Sequence, residues 1–124
     1  MNTTLWIFQG ILAILFATAG VMKITQPIQR LVNSVNWVDR FPVEAVKVIG
    51  FSELIGAIGL VLPWALNIVP VLTPGAATAL ATVQFLAIFH HSRYREGKAI
   101  AFNIVLCLMA VFVAIGRFVS VYGQ

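Results

Sequence analysis

Cysteine, acid and charge of any kind are scarce in this sequence. Of its 124 residues one is cysteine, four are acidic, and 10% are charged, against about 25% in an ordinary soluble domain. The single Cys107 excludes a disulfide framework within one chain, a paired-thiol redox centre and a cysteine-based zinc or iron–sulfur site. Low charge combined with 60% hydrophobic residues excludes a typical water-soluble fold. Histidine is limited to the adjacent His90 and His91, which cannot both ligate one iron, so a haem is not expected. One His, one Glu and an Asn without defined spacing give no reason to expect a metal either. The eight Lys and Arg leave a net charge of +4. In a soluble protein that balance would suggest nucleic acid, but in a membrane chain it reports sidedness, and no nucleic-acid partner is expected.

What the sequence does have is four long apolar runs. Leu5–Met22, Val71–Phe89 and Ala99–Gly116 carry no charge, and Val48–Leu66 carries one. A hydrocarbon core ~30 Å thick needs about 20 helical residues, so each run is long enough to cross, and none shows the alternation of a membrane β-barrel strand. The expected fold is all-α: an integral membrane antiparallel four-helix bundle forming one domain over residues 1–124, with spans near 5–23, 46–66, 71–91 and 99–117. The first run reads as an anchor rather than a cleaved signal. No Lys or Arg precedes it, and it exceeds the usual apolar core of about 7–15 residues.

Seven of the eight basic residues fall between the first and second spans (Lys23, Arg30, Arg40, Lys47) or between the third and fourth (Arg93, Arg95, Lys98). The positive-inside rule then puts both charged loops in the cytoplasm and both termini outside a cell membrane. Within the first loop, Ile28, Leu31, Val32, Val35 and Val38 recur at helical spacing opposite Gln29, Arg30, Asn33, Asn36 and Asp39. This predicts a short amphipathic helix after Pro27. It either lies on the membrane surface or acts as a lid anchored by Trp37 and Phe41, and Pro42 opens the second membrane helix.

Helices in lipid associate through small residues and hydrogen bonds, so small and polar positions on a common stripe mark the seams. Gln9, Ala13, Phe16, Gly20 and Lys23 share a stripe in the first span, and Asn103, Cys107, Ala110, Ala114 and Arg117 share one in the fourth. In the second span Gly50, Glu53, Gly56 and Ala57 face one way, with Gly59 close by. In the third, Ala77, Gln84 and His91 are spaced by seven. The antiparallel order brings Lys23, Glu53, His91 and Asn103 to the cytoplasmic half, while the external half is expected to hold no equivalent cluster. Cys107 reads as a packing residue, and Arg117 as a side chain reaching out to external phosphates. Glu53 is the most informative residue, because an acid inside a span must face the interior and find a partner. If Lys23 is that partner, the pair locks two helices. If His91 and Asn103 are, proton exchange becomes open to Glu53. The stripe favours His91 over His90 as the pocket residue.

Taken together these segments resemble the DoxX-like family of small four-helix membrane proteins. The resemblance rests on Ala19-Gly20-Val21-Met22-Lys23-Ile24, the run from Gly50 through Glu53 to Pro63, Leu72-Thr73-Pro74 with Ala76, His91 followed by Arg93, Asn103, and Gly116-Arg117-Phe118. It covers nearly the whole chain and implies a membrane four-helix fold. For function it points to subunits linked to quinone-dependent oxidation, and to four-helix proteins in animals that assist receptor assembly.

The leading expectation is an accessory or catalytic subunit of a quinone-linked membrane redox system. Lys23, Glu53, His91, Asn103 and Gln84 would bind a quinone-like or lipid-like molecule, with Glu53 and His91 as the catalytic candidates. No intrinsic cofactor motif is present, so a redox partner subunit or a homodimer is the expected partner besides the bilayer. Two other readings stay open: a non-enzymatic assembly factor for membrane proteins, and a proton-coupled carrier using Glu53.

Overall fold

The computed structural model describes residues 2–27, 29 and 41–122. It is an antiparallel bundle of α1 (Asn2–Thr25), α2 (Val43–Leu66), α3 (Leu72–Arg93) and α4 (Gly97–Tyr122), with no strand among the described residues. At ~1.5 Å per residue, helices of 22 to 26 residues run about 33–39 Å, and all four are apolar enough to cross a bilayer. The amphipathic segment expected over Ile28–Asp39, with Trp37, falls outside the described residues except for Gln29.

Burial is arranged for an apolar solvent. Ile14, Ile55, Phe89 and Leu108 point outward, while Gln9, Lys23, Glu53, Gln84, His91 and Arg117 are buried. In lipid the apolar face needs no cover, and each polar group must find a partner inside. A spine of Leu12, Phe16, Ala57, Leu60, Leu80, Leu106, Ala110 and Val113 fills the centre.

The local chemistry explains where the helices end. Asn67 adopts the left-handed conformation (φ 55°) after α2, and the Ile68 N–H returns to the Pro63 carbonyl, a glycine-type helix stop supplied here by asparagine. Pro63 within α2 has no N–H to give to Gly59, four residues back. The Thr73 hydroxyl takes its place, donating to the Gly59 carbonyl oxygen at 2.9 Å and tying α3 to α2. Between α3 and α4, Arg95 is left-handed (φ 54°) and the Glu96 N–H bonds the His91 carbonyl at 3.1 Å. That fold-back carries the Glu96 side chain to His91.

The bundle is organised as two hairpin pairs. In the first, α1 and α2 approach to backbone contact: a Cβ on Gly20 would lie 2.5 Å from the Gly50 carbonyl oxygen, so neither position has room for a side chain. In the second, α3 and α4 are joined by their short connection and by the Cys107 thiol against the Ala81 carbonyl oxygen (3.5 Å). The pairs meet at the end where α1 begins and α4 finishes, through Gly56 on Leu80, Gly59 on Ala76, Gly116 on Leu5, and an edge-to-face contact of Phe8 with Phe112 (5.0 Å). Toward the opposite end, which carries the basic loops, a cavity lies between them.

Candidate functional site

The site begins with the direction of two side chains. Helical side chains lean toward their own N-terminus. Lys23, near the end of α1, therefore leans down into the bundle, and Glu53 on antiparallel α2 leans up toward the basic end. The close Gly20–Gly50 approach lets them meet, with Lys23 Nζ donating to Glu53 Oε1 at 2.5 Å and both residues buried. Either charge alone would cost on the order of 2.5–3.5 kcal/mol at this depth, and pairing offsets part of both. Of the two partnerships open to Glu53 from sequence, the structure forms the one with Lys23. Lys47 secures the same end by donating to the Ile24 carbonyl oxygen at 2.7 Å.

Helix register sets the other polar groups. Gly56 packs on Leu80 and Gly59 on Ala76. One turn on from each, Glu53 of α2 and Gln84 of α3 share a level. Cys107 opposite Ala81 likewise brings Asn103 to the level of Gln84. His91 lies two turns nearer the basic end, about 10 Å along the axis. Lys23, Glu53, Gln84, His91 and Asn103 all line one cavity of about 540 Å³. Its remaining wall is mainly apolar, including Leu15, Phe16 and Ala19 from α1, Ile49 from α2, Val83 and Ala87 from α3, and Phe102 and Leu106 from α4. Gln84 is 6% exposed and its Oε1 is buried without a hydrogen-bond partner; the Asn103 side chain makes no hydrogen bond to any described residue. A buried amide oxygen left unmet is costly, so the Gln84 oxygen is a group that a bound molecule would satisfy, with the half-buried Asn103 amide at the same level.

Both histidines reach the cavity, in different states. His91 is buried, and its Nδ1 lies 2.9 Å from Glu96 Oε1, which fixes the ring. The tautomer that donates from Nδ1 to that carboxylate leaves Nε2 as an acceptor. His90 is half-buried between Phe41 (5.3 Å between ring centroids) and Tyr94 (5.0 Å). Glu96 and this aromatic cluster were not singled out in the sequence. Glu96 enters only because Arg95 turns the chain back, and no periodic pattern signals that turn. Phe41, foreseen as a lid anchor, lines the cavity.

The opposite end overturns an expectation. Arg117 does not reach outward: it is 1% exposed, donating from Nε to Gln9 Oε1 (2.6 Å) and from Nη1 to Asn2 Oδ1 (2.8 Å). Its guanidinium carbon lies 4.4 Å from the Trp64 ring centroid and 5.4 Å from that of Trp6. Gln9 in turn donates to the Leu60 carbonyl oxygen at 2.6 Å. This end therefore does hold a polar cluster. The physical reason is that Gln9, on the buried stripe of α1, needs a donor for its oxygen, and Arg117 occupies the facing stripe of α4.

The sequence profile of the DoxX-like family matches residues 7–113, which takes in the whole cavity and the Gly20–Gly50 seam. No curated protein and no solved structure matches the chain. With four apolar helices of membrane-crossing length and a family match over most of its residues, this small multi-pass membrane protein belongs to the DoxX-like family.

Proposed function

We propose that the protein is a subunit of a quinone-linked membrane redox system, holding the head of a quinone-like molecule in the cavity between its two hairpin pairs. One observation carries the reading: six polar side chains from all four helices, His90 among them, line a single, otherwise apolar cavity of about 540 Å³, within the usual range of roughly 300–1,000 Å³ for small-molecule sites. A quinone has the matching chemistry, an uncharged ring with two hydrogen-bonding oxygens and an apolar tail. The side-chain NH2 groups of Gln84 and Asn103 supply neutral donors at one level of the wall, and the unpartnered Gln84 Oε1 is an acceptor for a hydroxyl of the reduced, quinol form. The Lys23–Glu53 pair presents no net charge, which suits an uncharged head. When bound, the quinone supplies two-electron, two-proton carriage. In this reading Glu53 and His91 are the proton-handling groups, and electrons come from a partner subunit, since the chain has no cofactor motif of its own. The basic loops face the cytoplasm and both termini lie outside.

The closed ion pair also suits a second reading, a non-enzymatic assembly factor in which Lys23 and Glu53 only lock α1 to α2. Mass spectrometry of protein purified in mild detergent separates the two. A co-purifying quinone that is lost in Glu53→Gln and in Ala87→Trp, which fills the cavity, supports the redox reading. Protein carrying no quinone or lipid-like molecule, while Glu53→Gln lowers only folding yield, supports the assembly reading.

A further inference from the structure

We propose that the buried Arg117 guanidinium, at the far end of the bundle from the cavity, is a binding site for an oxyanion of the phosphate type. A guanidinium presents its donors as a planar fork, and here the fork is only partly filled. Nε meets Gln9 and Nη1 meets Asn2, but Nη2 is buried and has no hydrogen-bond partner. Both filled positions meet neutral amides, and the two flanking indoles add only ring-face attraction to the cation. Among the described residues the charge itself is unanswered. The sequence has no acid before Asp39 or after Glu96, and the described carboxylates, Glu44, Glu53 and Glu96, belong to the basic half of the bundle. A cation enclosed with neutral partners lacks a counter-charge that the described residues do not supply, and an arginine fork suits a phosphate oxygen in particular.

Position supports the same ligand. Arg117 lies about 8 Å along the axis from the last residue of α4, and Trp6 and Trp64 beside it are the residue type that gathers where acyl chains give way to headgroups. Asn2 is exposed and the two tryptophans are half-buried, so they form the wall that an incoming anion displaces. The anion is a lipid phosphodiester or free inorganic phosphate, both offering the same oxygens to Nη2. The inference does not depend on what occupies the cavity.

The test uses full-length protein in neutral detergent on a Trp37→Phe background, so that emission reports only Trp6 and Trp64. The probes are short-chain phosphatidylglycerol, inorganic phosphate, and diacylglycerol of the same chain length. A saturable emission change with phosphatidylglycerol alone assigns the lipid headgroup, and one with phosphate as well assigns the ion; diacylglycerol is expected to give none. Asn2→Asp is the decisive variant, because it sets a carboxylate where Asn2 already meets Nη1. It is expected to raise thermal stability in the absence of anion and to weaken anion binding at least tenfold. Arg117→Gln is expected to abolish binding, and Lys98→Gln, at the basic end, to leave it unchanged. No saturable response to either anion, or unchanged affinity in Asn2→Asp, overturns the proposal; Asn2→Asp carries the decision if Arg117→Gln does not fold.

Discussion

Removing one member of the Lys23–Glu53 pair should harm the protein more than removing both. The pair joins α1 to α2 at 2.5 Å with both side chains below 10% exposure, so each single neutralisation takes from the other charge its partner across the α1–α2 seam. Breaking a buried pair in this way costs about 3–5 kcal/mol, whereas replacing both members by neutral groups of similar volume is often close to neutral. Lys23→Met and Glu53→Gln are therefore each expected to lose about 3 kcal/mol or more, and the double variant less than about 2 kcal/mol. By these figures the coupling energy of the cycle is at least about 4 kcal/mol. The assay is reversible unfolding in mixed micelles of mild detergent and dodecyl sulfate, followed by far-ultraviolet circular dichroism for all four proteins. Single variants that each cost under about 1 kcal/mol, with additive effects in the double, would refute the argument. That result would mean water in the cavity already solvates the two charges. The double variant has a second use: folded and neutral at this position, it tests whether the pair contributes to ligand retention apart from stability.

Three further outcomes follow from the packing. Gly20→Ala should cost about 1–3 kcal/mol in the same unfolding assay, because its Cβ would sit 2.5 Å from the Gly50 carbonyl oxygen and force the backbones apart; a neutral effect would show that the seam is looser than described. Thr73→Val should cost about 1–2 kcal/mol by orphaning the Gly59 carbonyl, and Pro63→Ala, which restores the missing N–H, should recover part of that loss in the double variant; full additivity would separate the two residues. On a Cys107→Ser background, a cysteine at position 97 should react with a membrane-impermeant maleimide only from the cytoplasmic side, and one at position 67 only from outside; the reverse pattern would invert the proposed orientation.

The fold was readable because its signals are long and redundant. Runs of 18 or more apolar residues call for spanning helices whatever their neighbours, and short connections make sequential helices antiparallel. The glycine stripe was readable too, since Gly20 and Gly50 are small where lipid-facing positions are large, and the structure brings them into contact. For the site, stripe and depth together placed Lys23, Glu53, Gln84, His91 and Asn103 on inward faces, and all five line one cavity. Pairing was harder. Whether Glu53 met Lys23 or His91 depended on axial offsets of a turn or two, which are set by glycine contacts rather than by residue spacing. Glu96 was hidden in a charged loop until the left-handed Arg95 folded it onto His91. Arg117 misled because a terminal arginine ordinarily extends to headgroups, and only the facing position of Gln9 turns it inward.

The two polar clusters have opposite consequences for where the bundle can open. At the Arg117 end the seams between the hairpin pairs are held by groups that cross them: Arg117 on Gln9 and Asn2, Gly116 on Leu5, and Thr73 on Gly59. Each of these contacts is short and local, so separating the pairs there would strand a buried guanidinium and a helix carbonyl at once. At the basic end the hydrogen bonds and ion pairs among the described residues lie within the pairs, Lys23 with Glu53 and Lys47 with Ile24 in one, His91 with Glu96 in the other, and only the Phe41–His90 ring contact crosses between them. Separating the pairs at that end leaves all three intact. Among the described residues, spreading the pairs about the Arg117 end would therefore widen the cavity without breaking an ion pair. The apolar side chains at the cavity margin, Leu15, Leu86 and Phe102, are exposed and suit entry from lipid rather than water.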